Sequence, residues 1–139
     1  MATRTRGERN NNPLNIEFNP KNHWKGARRP RVDRRFEEFE SIDYGIRAAL
    51  IIIRKYIAAK PLGYGCNTIS KLIARWAPPS ENDTRYYATF VSLRSKVPTD
   101  EKISFAERSK ICAIVAAMAE MESKMHIDPI FIAKVYDAL

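Results

Sequence analysis

The spacing of apolar residues divides the chain into a polar first part and a helical remainder. From residue 41 onward, apolar side chains recur at intervals of three and four, which predicts amphipathic helices. Five helices are predicted, over residues 41–60, 67–76, 83–94 and 104–121, and from residue 128 onward. The fourth opens with the capping-box pattern Ser104-x-x-Glu107. It is apolar nearly all round from Ile111 to Ala119, so we expect it to be the buried central helix.

Residues 1–40 show no helical period. The stretch Asn-Asn-Asn-Pro at residues 10–13 is a strong turn signal, because Asn tolerates left-handed backbone and Pro fixes the next angle. Residues 14–18 and 35–39 alternate apolar and polar positions, which predicts two short strands. The predicted fold class is therefore mainly α (α+β), a single domain spanning residues 1–139. In it a small N-terminal β region, with a basic loop, is followed by about five helices.

Charge is distributed unevenly. The net charge is +8, and residues 1–35 contain ten Lys and Arg against three acids, a net charge of +7. Such asymmetry predicts a polyanionic partner: nucleic acid, an anionic membrane surface, or a cell wall that bears acidic polymers. Charge alone does not choose among these three.

Composition also sets aside several classes of protein. No run of about 18 apolar residues occurs and the N-terminus lacks an apolar core, so neither a transmembrane helix nor a signal peptide is expected. Cys66 and Cys112 lack metal-ligand spacing and are predicted to be free thiols. Because His23 and His126 are the only histidines, no zinc site is expected, and no other cofactor.

Several motifs resemble one family of phage proteins. Residues 6–16, RGERNNNPLNI, are similar to the opening RG-R-NNNPGNI of a family of phage virion and lysin proteins. The most specific match is residues 75–87, RWAPPSENDTRYY. Further matches follow the family's order at residues 24–26, 33–41, 45–48 and 97–98 and around Glu122. Such proteins are placed among lysozyme-like peptidoglycan hydrolases, so the resemblance implies a lysozyme-like fold and cleavage of cell-wall glycan strands.

The order of the motifs predicts a rearranged active site. Bacterial glucosaminidases with a lysozyme-like fold run from a helix ending in a catalytic Glu, within Glu-Ser-Gly, to an Asn-rich turn and a small β region. Here the turn and β region come first, and Glu122-Ser123 at the end of the apolar helix comes last. We therefore hypothesise a circularly permuted lysozyme-like arrangement.

Glu122 is the best candidate for a general acid. Glycoside cleavage needs a carboxylic acid to protonate the leaving oxygen, and an apolar setting keeps such an acid protonated near neutral pH. Glu122 follows an apolar helix and lies near Met121 and Met125. The alternative is a solvent-facing glutamate in a last helical turn. The family usually continues Glu-Asn-Gly, whereas this chain has Ser123 and Lys124, and a nearby cation would favour the ionised form.

A second carboxylate is expected on the predicted β region. Asp33 and Glu40 are its more exposed acids and the preferred candidates, ahead of Glu37 and Glu38. Glu8, beside the Asn turn, ranks lower because the family more often has an apolar residue there. An acid in such a position is more often an ordinary surface charge than a catalytic group.

Two groups of residues are candidates for binding the sugar. Amide side chains suit the N-acetyl groups of the glycan, and aromatic rings stack on sugar faces. A turn and two helix caps would use the same residue types, so a structural role stays open. The candidates are Asn10, Asn11, Asn12, Asn15, Trp76, Asn82, Tyr86 and Tyr87.

Three functions remain open at this point. The first is a phage-type peptidoglycan-degrading glycosidase: a muramidase, glucosaminidase or lytic transglycosylase. The second is a catalytically inactive virion structural protein that binds peptidoglycan, and the third is a basic nucleic-acid-binding virion protein. The expected partners are glycan strands, an anionic cell-wall or membrane surface, and other virion proteins, without specific nucleic acid. The expected location is the virion, or the host cytoplasm before release to the periplasm.

Overall fold

The computed structural model describes residues 3–80 and 83–139, and within them the chain is mainly helical, as predicted. Short loops and one long irregular segment connect the helices. The six helices of the described residues are α1 (Arg6–Arg9), α2 (Ile42–Ile57), α3 (Ile69–Trp76), α4 (Thr84–Ser95), α5 (Arg108–Ser123) and α6 (Pro129–Asp137).

Four of the predicted helices begin at the residues that the sequence indicates. Ser41 precedes α2, and the side chains of Thr68, Asp83 and Asp128 cap α3, α4 and α6. Each of these three side chains accepts a hydrogen bond from a backbone N–H of the first turn, where no helical acceptor exists. The polar side chain and the apolar period therefore specify the same boundary.

The predicted start of the fourth helix is wrong by four residues. The helix begins at Arg108, and Ser104 and Glu107 lie in the turn before it. The Glu107 carboxylate accepts from the backbone N–H of Ser104 at 2.8 Å, but the Ser104 hydroxyl accepts from Ala106 instead of completing the reciprocal pair. Only one of the two hydrogen bonds of a capping box is formed here, and it closes a turn but does not start the helix.

Helix α1 was not predicted, although its signal is present in the sequence. Thr5-x-x-Glu8 forms a complete capping box: Thr5 Oγ1 accepts from the Glu8 backbone N–H, and the Glu8 carboxylate accepts from the Thr5 backbone N–H at 2.8 Å. The helix has four residues, too few to show an apolar period. Glu8 thus has a structural role as a cap.

The predicted N-terminal β region is not seen. Within the described residues, the two segments expected to be strands do lie antiparallel, but they meet at a single isolated bridge, and a second bridge pairs the later segment with a residue outside both. One bridge joins Glu17 to Phe36, and another joins Ala27 to Phe39.

Side chains explain why no ladder forms there. The buried Asn12 amide donates to the carbonyls of Ile16 and Glu37 and accepts from the Ile16 N–H, so it occupies groups that a ladder would use. Asn15 has a φ of 52°, a left-handed conformation that interrupts the extended backbone. The two segments share backbone hydrogen bonds from Phe18 to Arg35 and from Glu37 to Ile16, both at 2.9 Å, and Asn12 takes up the neighbouring groups that would extend the ladder.

The hydrophobic core centres on α5, as expected. On this helix the side chains from Ile111 to Ala119 are buried on nearly every face, and α1, α4 and α6 pack around it. Cys112 lies in this core, and both cysteines are free thiols, as predicted. Among the described residues, no helix has the length and apolar character needed to cross a bilayer. Large side chains with almost no exposure include Leu14, Phe39, Ile46, Leu50, Ile53, Leu72, Ile73, Ile111, Ile114, Met118 and Ile132.

Candidate active site

Glu122 lies where three helix ends and the N-terminal segment meet. It occupies the last turn of α5, and its partly buried carboxylate faces Tyr87 in the first turn of α4 and Trp76 at the end of α3. The Tyr87 hydroxyl donates to Glu122 Oε2 at 3.0 Å, and the Trp76 side chain also hydrogen-bonds to this carboxylate. Asn15 Nδ2 donates to Glu122 Oε1 at 3.3 Å. Four of the predicted site residues therefore share one contact cluster.

Burial dominates the ionisation of Glu122. Loss of solvent raises the pKa of this carboxyl above its ordinary value of 4.5, because the charged form loses hydration. The hydrogen bonds from Tyr87, Asn15 and Trp76 lower the pKa, as does the positive charge of Arg35, but they do not cancel the effect of burial. The carboxyl thus holds a proton more readily than an ordinary glutamate.

Tyr87 is a neutral donor to this carboxyl. Its side chain is buried, and burial raises its pKa well above the ordinary value of 10; the charge of Glu122 and the hydrogen bond between them raise it further. The hydroxyl therefore keeps its proton across the physiological range. Its position follows from the Asp83 cap, which fixes the first turn of α4.

Asn15 holds both the backbone and the side chain of Glu122. Its Nδ2 donates to the Glu122 carbonyl at 3.1 Å as well as to the carboxylate. Its Oδ1 is buried and, among the described residues, has no hydrogen-bond partner. A buried unpaired acceptor costs about 1–3 kcal/mol. The position of Asn15 therefore favours its contact with Glu122, although this position leaves one atom of its own amide without a hydrogen bond.

The N-terminal segment fixes the end of α5. The Thr5 hydroxyl donates to the Ser123 carbonyl, and the Ser123 hydroxyl donates to the Pro13 carbonyl, both at 2.8 Å. Gly7 is buried against the same turn: a Cβ there would lie 2.6 Å from Ser123 Cβ and 2.9 Å from the Asn12 carbonyl oxygen. These contacts set the position from which Glu122 projects.

Lys124 closes α5. It is the C-cap residue of this helix, exposed, with a φ of 56°. The charge that stands among the main influences on the pKa of Glu122 is that of Arg35. Lys124 therefore occupies the left-handed position that the family's glycine would fill.

The remaining asparagines of the turn hold the N-terminal fold. Asn10 donates to Asp33 at 2.9 Å, Asn11 donates to the Phe39 carbonyl at 3.0 Å, and Asn12 is fully buried. Their amides are engaged within the chain, so the contacts that the structure shows for them are structural.

Asp33 is not exposed as expected, since its side chain is only 8% accessible. It accepts from Arg6 through two hydrogen bonds of 2.6 and 2.7 Å, and from the backbone of Arg35 and Phe36. These bonds, chiefly the one from Arg6, hold the pKa of this carboxyl far below its ordinary value. Asp33 is an ionised structural carboxylate that orders the turn around it.

Of the other acids in this segment, one is exposed and two are buried. Glu40 is exposed, as expected. Glu37 and Glu38 are buried and pair with Arg29 at 2.7 Å and Arg28 at 3.0 Å. The two buried acids therefore balance basic residues of the same segment.

Tyr86, another predicted sugar-binding residue, does not join the cluster. Tyr86 is 63% exposed and contributes a backbone N–H to the Asp83 cap. Asn82 lies outside the described residues. Within residues 3–80 and 83–139, no three His, Cys, Asp or Glu side chains converge as metal ligands.

Two features of the site were not anticipated. Arg35 is one of the ten basic residues of the N-terminal segment, and its charge acts on Glu122. Tyr56 extends the aromatic surface, since its ring meets that of Trp76 edge-on at 6.0 Å. Tyr56 carries a weak signal in the sequence, because it interrupts an otherwise aliphatic and basic stretch of α2.

Comparison with known proteins gives one clear relative and no match to a family model. The chain is 41% identical over 120 residues to protein P5 of Pseudoalteromonas phage PM2, which covers 85% of this chain and 71% of the relative. The relative confirms the expected link to phage, but its name states no activity, and no lysozyme family is matched. The chain belongs to the family of protein P5 of Pseudoalteromonas phage PM2.

Proposed function

We propose that the protein is a phage-type glycosidase that cleaves the glycan strands of bacterial peptidoglycan, with Glu122 as its general acid. The observation that carries this proposal is the setting of Glu122. It is a partly buried carboxyl whose pKa is raised by burial, at the end of a buried helix, with Tyr87, Trp76 and Asn15 around it. A general acid for glycoside cleavage needs this combination of a retained proton and a fixed direction.

In the first step Glu122 gives its proton to the oxygen between two sugars. The bond from C1 to that oxygen breaks, its electron pair stays with the oxygen, and positive charge develops at C1. The carboxylate left on Glu122 is stabilised by the hydrogen bonds of Tyr87, Trp76 and Asn15. These bonds favour the ionised form, so they strengthen as the proton leaves.

In the second step the Glu122 carboxylate takes a proton from the attacking hydroxyl. If that hydroxyl belongs to water, the product is a reducing sugar. If it is the C6 hydroxyl of the cleaved sugar, the product is a 1,6-anhydro sugar, as in a lytic transglycosylase. Both routes balance in protons, and both restore the acid.

Asp33 and Glu40 are not proposed as the second catalytic carboxylate. Asp33 is committed to Arg6, and Glu40 is exposed. A single-carboxylate route, in which the substrate's own N-acetyl group stabilises C1, fits these contacts better than a two-carboxylate route. Trp76 and Tyr56 supply the aromatic surface on which a sugar face stacks.

The test is release of soluble products from purified peptidoglycan. We expect wild type to release them and Glu122→Gln to lose at least about 100-fold in rate, since a general acid contributes 10²–10⁴-fold. Glu120→Gln is the matched control, because Glu120 lies two residues away on the same helix and pairs with Arg94. Equal rates for wild type and Glu122→Gln would remove Glu122 from catalysis. Mass analysis of the products separates reducing ends from anhydro ends.

A further inference from the structure

A second concave site lies on the other side of the aromatic residues from Glu122. An open pocket of about 760 Å³ is formed by the end of α2, the loop that follows, and α3. Its charged lining residues are Lys60, Lys71 and Arg75, and no acidic side chain lines it. All the charged side chains that line the pocket are therefore positive.

These three cations have no acidic partner within residues 3–80 and 83–139. Among the described residues, none of them forms an ion pair, whereas Arg94 and Arg108 elsewhere on the surface do. The Arg75 guanidinium lies over the Tyr64 ring, with its central carbon 3.5 Å from the ring centroid and 4.9 Å from that of Tyr56. Stacking leaves the edge of the guanidinium, which carries its N–H donors, free for an anion.

The pocket and the Glu122 cluster are joined through aromatic rings. Trp76, which hydrogen-bonds to Glu122, meets Tyr56 at 6.0 Å, and Tyr56 meets Tyr64 at 5.6 Å. Arg75 and Trp76 are also neighbours in sequence. A polymer that binds at Glu122 and continues along Trp76 and Tyr56 reaches the pocket.

We propose that this pocket is a subsite for the carboxylates of peptidoglycan stem peptides, a proposal that rests on the proposed function. In peptidoglycan the sugar backbone is neutral where a stem peptide is attached, and the negative charges lie on free carboxylates of the stems. A fixed guanidinium with two flexible ammonium groups suits such carboxylates, because Arg binds them through two parallel hydrogen bonds and Lys as a point charge.

The experiment measures binding by calorimetry to two preparations of soluble, uncross-linked peptidoglycan: stem-bearing strands as isolated, and stripped strands, in which carbodiimide and ammonia have converted the free stem carboxylates to neutral amides. All proteins carry Glu122→Gln, so that the strands stay intact. The test variant adds Lys60→Gln and Lys71→Gln. The matched control adds Lys102→Gln and Lys134→Gln, which removes the same charge from exposed positions elsewhere. Arg75 is left in place, because its stacking also supports Tyr56 and Tyr64.

We expect the test variant to bind stem-bearing strands roughly three- to tenfold more weakly than its parent, the effect of losing two partly solvated ion contacts. Its binding to stripped strands should be unchanged, and the control should match the parent on both. Equal affinities of test variant and parent for stem-bearing strands would overturn the proposal. So would equal weakening on stem-bearing and stripped strands.

Two further comparisons distinguish the subsite from a nucleic-acid site and from a failure of the proposed function. If the test variant loses affinity for a double-stranded DNA oligonucleotide but not for stem-bearing strands, the pocket binds nucleic acid and the proposal fails. If the parent binds neither strand preparation, the proposed function fails together with the subsite. Binding of both preparations without any effect of Lys60 and Lys71 removes the subsite alone.

Discussion

The Glu122 carboxyl is under two opposing influences. Burial favours its protonated form, and three hydrogen-bond donors favour its ionised form. The net effect is a raised pKa, so Glu122 retains its proton. The three donors already point at the carboxylate, where negative charge appears when the proton leaves. A carboxyl that is merely buried would hold its proton but would find no stabilisation after giving it up.

Tyr87→Phe tests this balance at a single atom. Removing the hydroxyl removes a bond that favours the ionised form, so we expect the pKa of Glu122 to rise further and the alkaline limb of the rate profile to move to higher pH. The rate at the optimum should fall about tenfold, since the product carboxylate loses a donor worth roughly 1.5 kcal/mol. Tyr86→Phe, at an exposed neighbouring residue, should change neither quantity. A downward shift of the limb in Tyr87→Phe would contradict the assigned direction.

At this scale the sequence predicts the residues with distinctive chemistry and misses those whose role depends on neighbours. Glu122, Trp76 and Tyr87 are recognisable because an acid or aromatic residue stands at the end of an apolar helix or in a long motif. Asn10 and Asn15 are five positions apart in one asparagine-rich turn, and only the folded chain shows that Asn15 contacts Glu122 while Asn10 contacts Asp33.

The end of α5 is the element on which the site depends. Lys124 closes this helix in a left-handed conformation, which costs a residue with a Cβ roughly 1 kcal/mol relative to glycine. The helix end is held instead by Thr5 and Pro13 through Ser123.

Lys124→Gly is therefore expected to stabilise the protein by about 0.5–1 kcal/mol, measured by urea denaturation at pH 7. The same substitution at Lys134, inside α6, should destabilise it by a similar amount, because glycine is a poor helix former. A loss of stability in Lys124→Gly would show that its side chain makes a contact more valuable than the backbone strain.

Elements differ in how far the sequence predicts them. Helices α2, α3, α4 and α6 combine an apolar period with a polar residue at the start, and both signals agree. The strands shrink to a bridge because their alternation depends on long-range pairing, which the side-chain hydrogen bonds of Asn12 cut short after one pair of residues. Helix α1 is too short for a period, so only its capping box marks it.

Over the whole molecule, the basic N-terminal segment is partly neutralised from within. Asp33, Glu37 and Glu38, which are all shielded from solvent, pair with Arg6, Arg29 and Arg28. The segment is thus held together by ionised carboxylates, and the charge that it presents to a partner is smaller than the sequence suggests.

This arrangement makes the stability of the folded protein depend on pH. The pKa of Asp33 is lowered on folding, chiefly by Arg6, and that of Glu38 is lowered by its hydrogen bonds to backbone and Arg28. A pKa that is lower in the folded than in the unfolded protein stabilises the fold at pH values above the unfolded pKa, near 4. That stabilisation is lost as the pH falls from the unfolded pKa through the lower folded pKa. The raised pKa of Glu122 has the opposite sign: its protonated form favours folding, and that contribution fades as pH rises above 4.5.

We expect Asp33→Asn to be less stable than wild type by about 1–3 kcal/mol at pH 7, and the difference to shrink as pH falls below 4. Urea denaturation at several pH values measures it. Asp100→Asn, in the turn between α4 and α5, is a control without an ion pair among the described residues and should behave as wild type at every pH. A difference for Asp33→Asn that does not change with pH would contradict the ionised role of Asp33.

The measurement that tests the central claim most directly is a titration of the Glu122 carboxyl by carbon-13 NMR. Its signal is assigned by comparison with Glu122→Gln. The account predicts an apparent pKa above the ordinary 4.5, and a further rise in Tyr87→Phe. A pKa at or below 4.5 in wild type would mean that the hydrogen bonds outweigh burial. Glu122 would then be an ionised structural carboxylate, and the proposed acid would be absent from the site.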